Sequence, residues 1–500
     1  MDDAVARALA SGYQVDVGAF ELLVSVEKRV NVVHTIDKIV QLKKLDGGGG
    51  LTTISRSDVD ALLAPEESAG DLKDLDSFPD TAEENLEIDF EIINDLTEKL
   101  FPVEGTDGFR LLFQSRLRKM LTIARERPDS RSIQSISGVL NTRSRDVTKV
   151  AGLIMDKTMK QDRTELIVDD VTGRLRVRSA DDSVKAEIAN VMLDQFVIMD
   201  VTGVRGDVGM VKRIYHPDLP ERVASTSKKN VYAVFLSDLH VGSKLFLLDA
   251  FERFVAWISG QSEEHGVTDR VRYVIIGGDA VDGVGVYPGQ ENDLHEPNVR
   301  KQYSGLAQLI QKIPKRIKIV IIPGNHDPVR QALPQPAIPR KYADELYRME
   351  NVSMLSGPAL LRLHGVKVLT FHGRSLDDVV AKIPGLSYSR PAAAMKLLLR
   401  ARHLAPCYGG RIAIAPAEED HLVIDEIPDI FHAGHVHTLD RMNYRGTLIL
   451  NSGTWQGQTK FQANMGIVPT PGKVPIVNLA TLDMLTKDFT KAPEAVSTLS

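Results

Sequence analysis

The sequence predicts an α/β architecture for its second half, preceded by a small β-barrel and, at the N-terminus, a small helical region. Three observations carry this. Near-continuous apolar runs alternate with amphipathic segments after residue 228. Short β-rich runs with turn signals fill residues 148–222, and apolar residues recur at helical spacing within the first 45. At about 150 residues per domain, 500 residues imply several packed units.

In chain order, Phe20, Leu22, Leu23, Val26 and Val30 recur at helical spacing, which predicts a small helical domain over 1–45. Gly47 to Gly50 then open a flexible acidic linker over 46–105. Residues 66–100 hold thirteen acids against Lys73 and Lys99, a local charge of −11, so the remainder carries +5 within a total of −6. A mildly basic body is compatible with a nucleic-acid partner without identifying one. Residues 106–145 form a basic helical segment. In its helix, Gly108 to Arg127, the apolar residues Phe109, Leu112, Phe113, Leu117 and Met120 are interspersed with Arg110, Arg116, Arg118, Lys119 and Arg125. The expected setting is an ordinary surface helix, stopped by Pro128.

Over 146–224 the period shifts. Leu166-Ile167-Val168, Leu175-Arg176-Val177 and Phe196-Val197-Ile198-Met199 are strand-like, with turns at Asp170–Gly173 and Gly203. Four or five short strands in this space suit an OB-type barrel. With only Phe196 and Tyr215 as aromatics, it reads as a packing module rather than a grip on single strands.

Residues 225–490 form the α/β domain, with 491–500 as a tail. Val231–Leu236, Tyr273–Ile276, Ile317–Ile322, Val366–Phe371 and Thr447–Leu450 read as strands buried on both faces. The segments Leu245–Gln261, His295–Ile313, Arg340–Glu350 and Ala392–Arg402 between them are amphipathic.

Composition narrows the class. Hydrophobic residues at 43% and charged residues at 26% fit a globular chain and exclude collagen-like and wholly disordered ones. No apolar stretch is long enough for a membrane span. The opening Met1-Asp2-Asp3 does not read as a secretory signal. A single cysteine, Cys407, forbids an internal disulfide or a thiolate zinc finger and points to the cytoplasm.

Chemistry gathers where the apolar runs end. The first reaches Asp238-Leu239-His240, the second Gly278-Asp279-Ala280-Val281-Asp282, the third Gly324-Asn325-His326-Asp327 and the fourth His372-Gly373-Arg374. A later apolar stretch delivers Gly434-His435-Val436-His437. Ligands in open α/β sheets bind beyond the carboxyl ends of the strands. In extended chain, the alternation of Asp-x-His and His-x-His aims both side chains to one side. One histidine after a strand is more often structural. Five such elements in this order have no comparable structural explanation. His432 reads as a packed core histidine. His265, His364, His403 and His421 stand outside any motif, Trp455 reads as core or rim, and Cys407 as inert.

Together these motifs resemble the signature of calcineurin-like metallophosphoesterases, a β-sandwich flanked by helices. Phe235–Ser243, Gly278–Gln290, Gln331–Pro339, His372–Asp378 and Ile427–His437 are similar in wording to the small subunits of archaeal D-family DNA polymerases. The resemblance is dense over 228–480 and looser over the barrel. It implies that Asp238, His240 and His437 hold one divalent metal and that Asn325, His372 and His435 hold another. Asp279 would bridge them, and His326 would act on the scissile phosphate as the catalytic residue. The nitrogen and oxygen donors suit Mn2+, with Fe2+, Zn2+ or Mg2+ as alternatives. Asp327 either orients His326 or serves a turn. Asp282 either accepts from a ligand histidine or belongs to the Asp-Gly turn, and Arg374 either contacts phosphate or braces its loop.

The resemblance implies a two-metal 3′–5′ exonuclease acting on DNA 3′ ends beside a large catalytic polymerase subunit, with single-stranded DNA and primer ends as substrates and no membrane partner. Two alternatives differ in class: a silent scaffold subunit, which would have lost ligands, and a stand-alone phosphodiesterase, which would lack the barrel and the polymerase-subunit phrases. Every ligand position is filled here.

Overall fold

The computed structural model describes residues 86–491 apart from 102, 104, 143–145, 161–162 and 262–264. In the N-terminal region it describes residues 13–15, 20, 23, 36 and 52–54. The chain divides into Met1–Thr81 and Ala82–Ser500. In the first unit β1 (Tyr13–Val15) pairs in parallel with β2 (Thr52–Ile54). The helical expectation for 1–45 and most of the acidic stretch lie outside the described residues.

In the second unit, residues 90–94 differ from the linker expected there. β3 (Phe90–Asn94) pairs antiparallel with β13 (Ala359–Leu363), matching Phe90 to Leu363 and Ile92 to Leu361. Glu87, Asp89, Glu91 and Asp95 surround the short apolar positions of this stretch, which conceals the strand in composition. The pairing is made by the backbone at a sheet edge, where exposed acids carry little cost.

The helix Gly105–Glu126 follows. It is not the surface helix expected. Leu117 and Met120 pack with Ala151, Leu153, Phe196 and Ile198 of the barrel and with Val423 of the α/β region. Arg116 is buried: its Nε donates to Asp420 Oδ2 at 2.7 Å and its Nη1 to the Asp194 carbonyl at 3.2 Å. A guanidinium so placed needs a paired carboxylate, which Asp420 supplies, while its Nη2 is buried without a hydrogen-bond partner.

β4 (Thr148–Lys160), β5 (Arg163–Asp169), β6 (Arg174–Arg178), β7 (Phe196–Arg205) and β8 (Val208–Tyr215) close into a barrel in the order β4-β5-β6-β8-β7. β4 pairs antiparallel with β7 to close it, and β6 runs parallel to β8. The helix Asp182–Ala189 lies between β6 and β7, capped by Asp181, which accepts from Ser183 N at 2.9 Å. Ile154, Val168, Leu175, Val197 and Met199 fill the interior.

Two six-stranded sheets make up the rest. In the first, β12 (Val352–Met354), β11 (Lys318–Ile321), β10 (Val271–Ile276) and β9 (Tyr232–Leu236) are parallel, and β18 (Lys473–Asn478) and β19 (Met484–Asp488) complete the edge antiparallel. In the second, β17 (Thr447–Asn451), β15 (Ile430–Ala433) and β14 (Val366–Thr370) are parallel, flanked by β16 (Asp440–Tyr444) on one side and by β13 and β3 on the other. Phe235, Tyr273 and Val320 of the first sheet share one buried core with Leu361, Val368, Ile430 and Leu450 of the second. The outer face of the second sheet is covered by the helices Leu376–Lys382 and Pro391–Ala401 through Leu376, Val379, Met395 and Leu398. Near-continuous apolar strands are what such double coverage requires.

Candidate active site

The carboxyl ends of β9, β10, β11, β14 and β15 open into one depression, and the expected ligands meet there. Asp238, His240 and His437 form one cluster, and Asp279, His372 and His435 a second. Asn325 joins the second, its Oδ1 lying 3.1 Å from His372 Nε2. Asp279 faces both: its Oδ2 is 3.3 Å from His372 Nε2 and 3.9 Å from His240 Nε2. Its other oxygen accepts from His326 N at 2.8 Å.

The backbone reaches this arrangement differently from the extended-chain expectation. Asp238, His240, Asp279, His435 and His437 all have positive φ, between 48° and 72°. For residues with a Cβ this left-handed conformation costs on the order of 1–2 kcal/mol each. The chain turns sharply off each strand, so the side chains converge by tight turning rather than by strand alternation. Two glycines permit the approach: a Cβ on Gly324 would strike the Asp279 carboxylate, and one on Gly434 would strike Ser237 and Asp238.

Each of the four histidines expected as ligands has one ring nitrogen held from behind. His240 Nδ1 is 2.9 Å from Asp282 Oδ1, and His372 Nδ1 donates to the Gly277 carbonyl at 2.9 Å. The Gln462 amide is 2.8 Å from His437 Nδ1, and Asp377 Oδ2 is 3.0 Å from His435 Nε2. Outer partners of this kind fix the orientation and tautomer of metal-binding imidazoles. Asp282 thus resolves as a histidine partner, while Asp377 lies within the His372–Asp378 run without being singled out there, and Gln462 belongs to no motif.

The inner atoms remain under-satisfied by protein. His240 Nε2 and His437 Nε2 face one another at 3.1 Å. Asp238 Oδ1 is buried without a hydrogen-bond partner, 3.4 Å from His437 Nε2. Burial pushes Asp238 and Asp279 up, but the neighbouring histidines outweigh it, holding Asp238 at about 2 and Asp279 well below the usual carboxylate range. Burial pushes His240 and His372 down, yet the carboxylates prevail: His240 is raised and His372 lies at about 9. The two carboxylates thus favour positive charge beside them, although burial keeps His437 and His326 below their ordinary value. A divalent cation meets that demand with the same lone pairs, so the donor set fits metal in both clusters.

His326 lies beside the first cluster, its ring 4.6 Å from that of His240. Its Nδ1 donates to the Asp282 carbonyl at 2.7 Å, which turns Nε2 away from that anchor. The orienting group is therefore Asp282 and not Asp327. The Asp327 carboxylate is spent on the loops: it accepts from Gly324 N at 2.8 Å and Ala280 N at 3.3 Å, and from the Tyr303 hydroxyl at 2.5 Å. Burial and the nearby Asp279 raise Asp327 to about 6. Arg374 braces its loop, donating to the Gln331 carbonyl at 2.9 Å and to its side-chain oxygen at 2.6 Å. His432 is fully buried, with Nδ1 at 3.1 Å from Thr370 Oγ1 and Nε2 at 2.8 Å from Ser452 Oγ, and Trp455 packs against Phe251.

Comparison with known proteins gives a consistent set. The B-subunit family of DNA polymerases alpha and epsilon matches residues 233–439, which span all seven expected ligand positions. The DNA polymerase II small subunit of Archaeoglobus fulgidus is 38% identical over 482 residues, covering 94% of each chain. That of Pyrococcus furiosus is 38% identical over 463 residues, covering 87% of this chain and 75% of its own. That of Methanothermobacter thermautotrophicus is 34% identical over 490 residues, covering 97% of this chain and 99% of its own. Among the described residues no helix is long and apolar enough to cross a membrane.

Proposed function

The chain belongs to the family of archaeal DNA polymerase II small subunits, and from that premise we propose that it is a metal-dependent 3′–5′ exonuclease that trims DNA 3′ ends beside a large catalytic polymerase subunit in the cytoplasm. One observation carries the reading: four histidines each have one ring nitrogen held from outside and are gathered with Asp238, Asp279 and Asn325 in two donor clusters that share Asp279. A scaffold subunit has no use for a complete donor set held at this cost in backbone strain.

In this reading Asp238, His240 and His437 hold one divalent ion and Asn325, His372 and His435 the other, with Asp279 between them. Bound ions there supply polarisation of a phosphodiester and activation of water. The residues of the chain do the rest. The Asp282 carboxylate orients His240, while its carbonyl fixes His326 through Nδ1. His326 Nε2 is then free to hydrogen-bond a phosphate or the departing 3′ oxygen. Asp327 and Tyr303 tie the loop of Asp279 to that of Asn325, so both donors are placed before substrate arrives.

The paired sheets support a calcineurin-like sandwich. The barrel order, with a helix between its third and fourth strands, supports an OB-type module. The large partner follows from the family. The decisive experiment incubates the purified two-subunit assembly with Mn2+ and a primer bearing a mismatched 3′ nucleotide, with and without Asp279→Asn. The expected result is stepwise 3′ shortening that the variant abolishes. Shortening that persists in the variant would place the nuclease elsewhere.

A further inference from the structure

A line of rings crosses the site. Tyr287 lies 6.4 Å from His326, His326 lies 4.6 Å from His240, and His240 lies 5.0 Å from His437. Beyond His437 comes Gln462, and next to it in the chain stands Phe461. Tyr287 is 39% exposed and Phe461 68% exposed, an unusual state for large rings on anchored supports.

Both supports are fixed to the site. Phe461 sits on the helix Lys460–Asn464, which closes with a capping box: Thr459 N donates to Gln462 Oε1 at 3.0 Å and Gln462 N to Thr459 Oγ1 at 3.2 Å. The same Gln462 touches His437, so the helix cannot shift without moving a ligand. Tyr287 stands on a loop held by Gln290, which accepts from Val286 N at 2.8 Å and donates to the Asp282 carbonyl at 2.8 Å. Its hydroxyl donates to Asp293 Oδ2 at 3.1 Å. Met465 and Val468 extend the exposed apolar surface beside Phe461, and Lys460 adds a solvent-facing cation.

We propose that Phe461 and Tyr287 are stacking residues that hold the unpaired bases of a single-stranded DNA 3′ end on either side of the metal clusters. The inference rests on the exonuclease reading and deepens it by assigning what the strand is gripped by. Base–aromatic stacking is tolerant of sequence, as trimming of arbitrary ends requires. Tyr287 borders His326, and Phe461 is next in the chain to the Gln462 that holds His437, so both rings stand on the immediate supports of the donor clusters and the occupant favoured here is the substrate strand. Lys460 suits the strand's phosphates. Selectivity for frayed ends follows, because a paired terminal base must first give up its pairing and its stack on the duplex to reach the rings.

The test measures binding by fluorescence anisotropy, using the full chain, Mn2+ and a dye-labelled deoxythymidine oligonucleotide with phosphorothioate 3′ linkages that resist cutting. Phe461→Ala and Tyr287→Ala should each weaken binding about 5- to 100-fold, the range for one lost stack, and Phe461→Trp should restore it. Wild-type protein on an oligonucleotide with abasic 3′-terminal residues should fall at least as far as either alanine variant does on the normal strand, and on the abasic ligand the variants should bind no more weakly than wild type. Wild-type affinity in both alanine variants overturns the proposal, as does an equal loss on abasic strands. Loss of copurification with the large subunit, with DNA binding intact, reassigns the patch to protein docking. Should either variant misfold, the wild-type comparison decides alone: equal affinity for normal and abasic ends refutes stacking. A wild type that shows base-dependent binding yet cuts no unmodified end refutes the exonuclease and leaves the stacking in place.

Discussion

Asp377 Oδ2 lies 3.0 Å from His435 Nε2, so the carboxylate fixes the far side of an imidazole whose other nitrogen, Nδ1, is left for the second donor cluster. Burial pushes Asp377 up, but His435 and the Tyr388 hydroxyl outweigh it and hold the group at about 2. The ionised form is the native one.

Asp377→Ala should therefore weaken one of two bound ions by about 10- to 100-fold, the usual consequence of losing an outer partner. Manganese titration followed by calorimetry should show one site weakened and the other intact. Equal affinity at both sites in the variant would remove Asp377 from the metal centre.

Asp279→Ala should be harsher. The residue offers an oxygen to both clusters, at 3.3 Å from His372 and 3.9 Å from His240. Without it two cations face each other unscreened, and elemental analysis should find at least one ion lost, with phosphodiester hydrolysis abolished. Retention of two ions with full activity is incompatible with a shared carboxylate.

What the sequence disclosed follows from how each feature is encoded. Asp238, His240, Asn325, His372, His435 and His437 were legible because each sits within a few residues of an apolar strand end, where period and residue type coincide. The left-handed backbone of Asp238, His240, Asp279, His435 and His437 was not, since positive φ at a residue with a Cβ is imposed by tertiary packing and leaves no trace in composition. Gln462 was silent because a single polar residue has no pattern, and Asp377, although within the His372–Asp378 run, had nothing in that run to mark it as a histidine partner. Asp327 misled in one of its two readings: adjacency to His326 suggested a dyad, yet its carboxylate points to backbone amides of two loops and to Tyr303. The strand Phe90–Asn94 was hidden by its acids, and Arg116 by the assumption that a basic helix faces water.

The buried group around Arg116 gives a pH-dependent prediction. His403 Nδ1 accepts from Ala405 N at 3.0 Å, which puts its proton on Nε2, 3.0 Å from Asp420 Oδ2. A second proton would confront the Ala405 amide. Burial, together with the Arg116 charge, depresses His403 to about 4. Below its ordinary value near 6.5 the unfolded chain takes up a proton that the folded chain refuses, so this stability is complete above pH 6.5 and is lost as pH falls toward 4. Between pH 7 and pH 5 the loss is about 2 kcal/mol. Urea unfolding of wild type and His403→Gln at both values should show wild type losing that much more than the variant. Parallel losses would mean that His403 is not held neutral.

His326→Ala is the sharpest test of the division of labour within the site. His326 borders Asn325, and its own backbone amide donates to Asp279, but its ring is anchored on the Asp282 carbonyl. Truncating the ring removes neither the amide nor a donor of the two clusters as assigned. Both ions should stay bound, and Tm should shift little because the ring is partly exposed at the edge of the depression. Cleavage should fall by a factor on the order of 10²–10⁴, the range for a positioned proton donor or acceptor. The loss should appear in kcat rather than in KM, because the contact is with a departing oxygen that carries charge only in the transition state. DNA synthesis by the assembled polymerase should continue with more errors. Loss of an ion from His326→Ala, measured by elemental analysis, would make the residue a ligand and overturn this assignment of roles.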